Sequence, residues 1–328
     1  MLVFLVRRVF YMIITLIIIS IASFAIINAA PGSALTQEIQ RLRTVGGEVS
    51  TAQITALKKQ YGVDDPWYVQ YKKWIGGFVH GDFGTSFGNH EPVSSLIWSR
   101  LGLSIALSVG SLLIAWLISI PLGVYSATHR YSLSDNTVTV IQFFGVAIPE
   151  FLFALLIMTL AARYFGTDVG GLFSNAYQNA PWSAAKFVDL LKHLWIPLVV
   201  ISAGSTAWLT RVMRANLLDV LNQQYVQTAR AKGVAERKVI WKHATRNALH
   251  PLVMTLGTTL SVLISGEAIV SIVLNLPTTG PLLIQSLISK DTYLAVTLLM
   301  MLSILLVLGN LLADLLLAWV DPRVRTAE

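Results

Sequence analysis

The chain has 328 residues, of which 55% are hydrophobic and only 12% charged, with a formal net charge of +7 and no cysteine. A soluble fold of this length needs a far more charged surface, so the composition indicates a protein that crosses a membrane several times. The lack of cysteine excludes disulfides and thiolate metal sites, and the basic excess reads as positive charge on a cytoplasmic face rather than as a nucleic-acid surface.

A helix that spans the hydrocarbon needs about 20 mostly apolar residues. Six stretches qualify: about Val9–Ala30, Leu101–Ala127, Thr137–Ala162, Leu194–Leu209, Leu252–Leu274 and Leu294–Val320. Arg7 and Arg8 precede the first. Its apolar run exceeds the roughly 7–15 residues of a signal-peptide core, so residues 1–30 are expected as a retained transmembrane helix.

Residues 31–100 form an expected extracytoplasmic subdomain. Thr51 to Tyr61 reads as an amphipathic helix, with Ile54, Leu57 and Tyr61 on one face and Gly62 past its end. Asp65-Pro66 starts another, with Tyr68, Tyr71, Lys72 and Ile75 at helical spacing and a break expected at Gly76-Gly77. Gly81 to Gly88 is rich in turn residues. The aromatic surface of this segment suits either a soluble partner or the lipid headgroup layer.

The second span carries Ser104, Ala106, Ser108, Gly110, Ser111, Ala115 and Ser119, small residues that let helices approach closely in lipid. Pro121 and Gly123 near its inner end permit a kink. The third span contains Glu150 directly after Pro149. The outer loop Phe165–His193 is expected to hold a short surface helix near Ala184–Leu191. The fourth span is the least apolar, with Pro197 and Gly204 inside it. With the N-terminus in the cytoplasm, 13 of the 24 Lys and Arg lie beside cytoplasmic span ends and four in short outer segments. The other seven fall in the long outer segment, where the positive-inside rule loses force. Both termini are therefore expected inside.

A basic cytoplasmic block, at about 210–251, follows the fourth span. Asn222 is expected to cap a helix starting near Gln223. Tyr225 to Lys232 makes about two turns, with Arg230 and Lys232 in the last turn, where positive charge suits the helix dipole. Gly233 suits a left-handed terminating position. Ala235–Leu249 is expected as the next helix, and Pro251 as the entry to the fifth span. Thr228, Ala229 and Ala231 are small, so this helix can press into a groove on a soluble partner as a rigid knob.

Glu267 in the fifth span and Asp314 in the sixth are acidic groups at membrane depth, where insertion costs about 2.5–3.5 kcal/mol, so both should face protein or water. Glu267 reads two ways, as a path-lining carboxylate able to receive an ammonium group or as a buried hydrogen-bonding group. Asp314 lies four residues after Asn310 on one helix face, a pair that reads as helix packing. No Gly-Lys dipeptide is present, so the phosphate-binding loop of an ATPase is missing. No HExxH or histidine ligand spacing occurs either. The chain reads as a pore subunit with no metal site or catalytic residue, driven by a partner.

Tyr225–Pro251 resembles the EAA loop of ABC importer permeases, with Gln227 and Thr228 at its acidic positions and Ala229 and Gly233 matching. The run Y-V-Q-T-A-R-A-K-G is similar to that of the peptide-permease branch. Collinear matches are Arg7-Arg8, Ala30-Pro31-Gly32, Gln60-Tyr61-Gly62-Val63, Gly81-Asp82-Phe83-Gly84 with Ser86, and Pro92-Val93. Pro121-Leu122-Gly123, Asn275-Leu276-Pro277 with Gly280, and Asp321-Pro322-Arg323 complete them. Thr278-Thr279 departs from the usual Pro-Gly. The resemblance covers essentially the whole chain and is to the B-type dipeptide/oligopeptide permeases.

That resemblance implies an all-α membrane protein: six transmembrane helices of the type I ABC importer permease fold, plus the extracytoplasmic subdomain between helices 1 and 2. Residues 101–328 would be the five-helix permease core. It further implies a multi-pass inner-membrane protein surrounded by lipid and paired with a C-type permease. Two ABC ATPase subunits would carry ATP and Mg, and an extracytoplasmic substrate-binding protein would deliver di- or oligopeptides. The ATPase-coupling residues would be Tyr225, Gln227, Thr228, Ala229, Arg230, Ala231, Lys232 and Gly233. Glu267, Glu150 and Asn275 are the candidate residues of the translocation path. Two other readings stay open: the same architecture importing nickel chelates, oligosaccharides or peptide antibiotics, and an ion-coupled carrier relaying protons through Glu267 and Asp314.

Overall fold

The computed structural model describes residues 2–29, 65–165, 170–178 and 180–320, and these are almost entirely helical. The expected helix at Thr51–Tyr61 and the motifs at residues 30–32, 60–63 and 321–323 lie outside them. In chain order the helices are α1 (Leu2–Ala29), α2 (Trp67–Val79), α3 (Val93–Thr128), α4 (Leu133–Ala147), α5 (Glu150–Phe165), α6 (Ala184–Leu221) and α7 (Gln224–Ala231). After α8 (Glu236–Lys238) and a π-helical turn (Val239–Ala244) come α9 (Thr245–Ala248), α10 (His250–Met254), α11 (Leu256–Val273), α12 (Thr279–Ile288) and α13 (Thr292–Val320).

Among the described residues, α1, α3, α6, α11 and α13 are long and apolar enough to cross a membrane. The pair α4–α5 makes a sixth span, but it is bent by 107°. The sequence suggests one straight helix from Thr137 to Ala162. Pro149 prevents it, because a proline ring pushes the preceding residue out of the α region. Ile148 is accordingly extended, at φ −80° and ψ 122°.

Three other boundaries differ from expectation. The surface helix near Ala184 and the fourth span are one helix of 38 residues, about 57 Å at 1.5 Å per residue. Ser183 caps it by accepting from the Lys186 amide at 3.2 Å, and Pro197 is tolerated inside it. Such a helix is nearly twice as long as the roughly 30 Å hydrocarbon layer, so it extends beyond the bilayer. Helix α2 runs through Gly76-Gly77 and stops at His80 and Gly81, where the Gly77 carbonyl takes the amides of both His80 and Asp82 at 2.9 Å. Pro251 sits in the short α10, and the fifth span starts only at Leu256, after Thr255.

Two compact units divide the chain, residues 1–102 with 278–307 and residues 103–277 with 308–328. In the first unit Phe24, Trp74, Val296 and Met300 form one cluster, and the Trp74 indole donates to Thr297 Oγ1 at 3.0 Å. The turn-rich stretch after α2 is ordered around the buried carboxylate of Asp291. That carboxylate accepts from Ser86 Oγ at 2.6 Å, from the Gly88 amide at 3.3 Å and from the Leu294 amide at 3.2 Å.

In the second unit α6 is the central element, packed against α4, α5 and α11. Its buried face, Ile196, Val200, Leu209, Met213 and Leu217, follows helical spacing. Of the small residues of α3, Ser104, Ser108, Ser111, Ala115 and Ser119 are buried, and a Cβ on Gly110 would stand 2.8 Å from Leu198 Cδ2, whereas Ala106 is exposed.

Candidate functional site

A short helix, α7, forms where the sequence predicts one. Its start differs in detail. Asn222 closes α6 in the right-handed conformation, and its amide nitrogen donates back to the Leu218 carbonyl at 3.1 Å. Gln223 holds the capping position of α7 without a side-chain cap. The C-terminal end is as anticipated. Gly233 has φ +74°, and the Gly233 and Val234 amides bond to the carbonyls of Arg230 and Ala229 at 2.9 and 3.2 Å. A residue with a Cβ pays a conformational penalty at that φ even in open space.

One residue anchors the helix. Val226 is fully buried in a cluster with Met213, Leu217, Val239, Ala244 and Ala248, and Ala229 packs half-buried against the same cluster one turn later. Ala229 thus faces its own chain. The exposed small positions are Thr228 and Ala231, with Gln227, Lys232 and Gly233 exposed beside them. The reason is helical phase: residues three apart share a face, so burying Val226 turns Ala229 inward.

Polar bonds complete the mount. Asn247 donates to the Tyr225 hydroxyl at 2.7 Å. Thr228 Oγ1 donates to the Gln224 carbonyl at 2.9 Å, and Gln227 Nε2 to that of Leu221 at 3.3 Å. Arg230 forks onto Glu236 with contacts of 2.7 and 3.2 Å. That hydrogen-bonded guanidinium holds the Glu236 carboxyl below its ordinary range. The single helix expected over Ala235–Leu249 is α8, the π turn and α9 in succession, with Val239 and Ala244 of the π turn buried against the anchor cluster. A π turn rephases the helix and is frequent at functional sites.

A second constellation lies where α3, α4 and α6 meet, and sequence reasoning missed it. Asp135, 1% exposed, accepts from Arg214 Nε at 2.9 Å and Nη2 at 2.7 Å, from Ser126 Oγ, and from the Tyr131 amide at 2.9 Å. Tyr131 is held at φ +63°, a left-handed conformation uncommon for a bulky residue. Ser132 caps α4 by accepting from the Asp135 amide at 3.1 Å. The run Ser132-Leu133-Ser134-Asp135 carried that cap signal. Its pairing with a residue 79 positions later left no local trace.

Of the three expected path residues, Glu150 begins α5 at the bend. A Cβ placed on Gly266 of α11 would come within 2.0 Å of its Oε2, and one on Gly204 of α6 within 3.8 Å of its Oε1. Glycine at 266 is thus what makes room for the carboxylate. Glu267 is 1% exposed and accepts from Ser271 Oγ at 2.7 Å, which matches its reading as a buried hydrogen-bonding group. Asn275 is elsewhere, exposed in the turn after α11 at φ +51°, beside the Leu276 amide bonded to the Ser271 carbonyl at 2.8 Å. Asn310 packs on α11, where a Cβ on Gly257 would meet its Oδ1 at 1.9 Å, in line with a packing role for that face of α13.

Among the described residues, no group of three His, Cys, Asp or Glu lies close enough to hold a metal ion.

Comparison with known proteins identifies the family. Residues 119–326 match the family described as binding-protein-dependent transport system inner membrane component, and residues 1–108 match its N-terminal membrane component. The chain is 39% identical over 323 residues to the oligopeptide transport system permease protein AppB of Bacillus subtilis (strain 168), covering 98% of each. It is 30% identical over 326 residues to the glutathione transport system permease protein GsiC of Salmonella typhimurium (strain LT2), covering 99% of each. It is 29% identical over 343 residues to the dipeptide transport system permease protein DppB of Escherichia coli (strain K12), again covering 99% of each. Among solved structures, the inward-facing MetNI methionine ABC transporter matches with a TM-score of 0.55 at 20% identity, over 69% of this chain and 96% of that one. That likeness concerns the fold.

Proposed function

Because the chain belongs to the family of binding-protein-dependent transport system inner membrane components, we propose that it is the B-type permease subunit of an ABC importer for di- and oligopeptides. The cargo assignment is supported by the relatives, whose names specify oligopeptide, dipeptide and glutathione, all peptides. Its partners are a C-type permease, two ABC ATPases that bind ATP and Mg, and an extracytoplasmic substrate-binding protein. Both termini face the cytoplasm, in line with the basic residues gathered beside the inner span ends.

The observation that carries the mechanism is the mount of α7. Thr228 and Ala231 form an exposed, small-residue surface, while Val226 ties the same two turns to the inner end of α6. A partner that grips this surface moves a helix rooted in the membrane core. ATP binding then favours one pore state only if the ATPases hold α7 better in that state, and the coupling is reciprocal.

The test uses the assembled complex. With Ala231→Trp, the ATPases should still bind and hydrolyse ATP while peptide uptake into proteoliposomes is lost, because a bulky side chain fills the gripping surface without touching the Val226 anchor. Thr228→Cys should cross-link to an ATPase subunit, on a chain that has no other cysteine. Normal uptake by Ala231→Trp, or gradient-driven accumulation by the chain alone, refutes this assignment.

A further inference from the structure

A cavity of about 440 Å³ lies at the bend of the third span, between α3, α4, α5 and α6. Its size is within the roughly 300–1,000 Å³ of small-molecule sites. Ile118, Ile141, Phe144 and Phe153 give it apolar walls. Five polar residues interrupt them: Glu150, Gln142, Thr206, Ser202 and Thr210, of which Ser202 and Thr210 donate to carbonyls of their own helix, those of Val199 and Thr206. Gln142 is 6% exposed, and both its Nε2 and Thr206 Oγ1 are buried without a hydrogen-bond partner among the described residues. Glu150 likewise has no side-chain hydrogen bond there, unlike Asp135 with its Arg214 and Glu267 with its Ser271.

This pattern does not suit an acyl chain. A carboxylate at membrane depth is costly unless something pairs with it, and buried polar atoms without partners are rare in finished cores. An occupant that meets these groups needs a cation or hydrogen-bond donor for Glu150, an acceptor for Gln142, and an apolar body for the walls. We propose that the cavity is a cargo station that holds the N-terminal ammonium of a peptide at Glu150 and lodges the adjoining apolar side chain between α3, α4 and α5. The inference rests on the importer reading and adds a residue-level site for the cargo within it.

The absence of native cysteine makes a direct test possible. Ala203, which lines the cavity and is partly exposed, is changed to cysteine. The permease–ATPase assembly is labelled with N-ethylmaleimide in detergent, without the binding protein, in the presence of leucyl-phenylalanine or its N-acetylated form. The free dipeptide should slow labelling and the acetylated one should not. Adding Glu150→Gln, which preserves shape, should raise the half-protecting concentration about tenfold, the effect of losing one charge-assisted hydrogen bond. Equal protection by both peptides overturns the ammonium site. No protection, in an assembly that takes up the dipeptide in proteoliposomes, overturns the station and leaves the importer standing. Labelling already blocked by assembly with the C-type subunit means that the partner fills the cavity, and also overturns it. An assembly that takes up no peptide removes the importer reading and this one together.

Discussion

Two charged pairs close to the ends of long helices are built on opposite principles. Asp135 is buried and accepts from Arg214, Ser126 and the Tyr131 backbone, joining α3, α4 and α6 at one point. Arg230 and Glu236 form a fork of similar lengths, but the side chains are 35% and 54% exposed, and the pair spans only six residues. The first fixes a junction of three helices. The second trims the turn after a helix held mainly by one apolar side chain. Under the proposed function, the region gripped by a partner is the lightly fastened one, whereas the core is fastened through its buried polar groups.

Substitutions can break that contrast. Asp135→Ala leaves Arg214 facing a partly buried site without its partner and should cost about 3–5 kcal/mol, the range for breaking one side of a buried pair. Thermal unfolding of the detergent-solubilised assembly reads this out. A loss no larger than that of Glu236→Ala would erase the distinction between the two pairs. Val226→Ala removes the apolar anchor of α7 and should cost about 2 kcal/mol from lost burial and the space left behind. Amide exchange should then quicken across residues 224–234 and stay unchanged in α6. Quickening in α6 as well would mean that the knob and the core unfold as one.

Smaller effects sharpen the picture. Gly233→Ala forces a side chain into φ +74° and should cost about 1–2 kcal/mol. Gly233→Asn should cost less, since Asn tolerates this conformation. Equal losses would point to contacts rather than backbone. Glu236→Gln should cost about 0–1 kcal/mol, as exposed pairs do. Its pH dependence has a definite sign. Arg230 lowers the folded carboxyl below its ordinary value of 4.5, so the contribution is full above that value and fades as pH falls through the lowered one. Exchange at residues 229–236 should therefore be level near neutral pH and rise only in acid.

Much of the molecule is written in local patterns. Six apolar stretches announce six spans because the hydrocarbon layer demands a minimum length of each, and the helix–glycine–helix order at Tyr225–Leu249 marks the knob because glycine alone accepts φ +74° freely. Pro149 was visible too, but whether a proline kinks a span or breaks it depends on what packs around the break. Here Gly266 and Gly204, from two other helices, accommodate the carboxylate that the bend exposes. The pairing of Asp135 with Arg214 and the inward turn of Ala229 were likewise decided by packing. Helix formation is a matter of neighbours a few residues apart, so the sequence by itself determined which segments are mainly helical, although not that α2 runs through Gly76-Gly77 or that one helix spans Ala184–Leu221. Which side chain meets which partner across 79 residues, and which face of a short helix is left for another protein, only the tertiary structure decided.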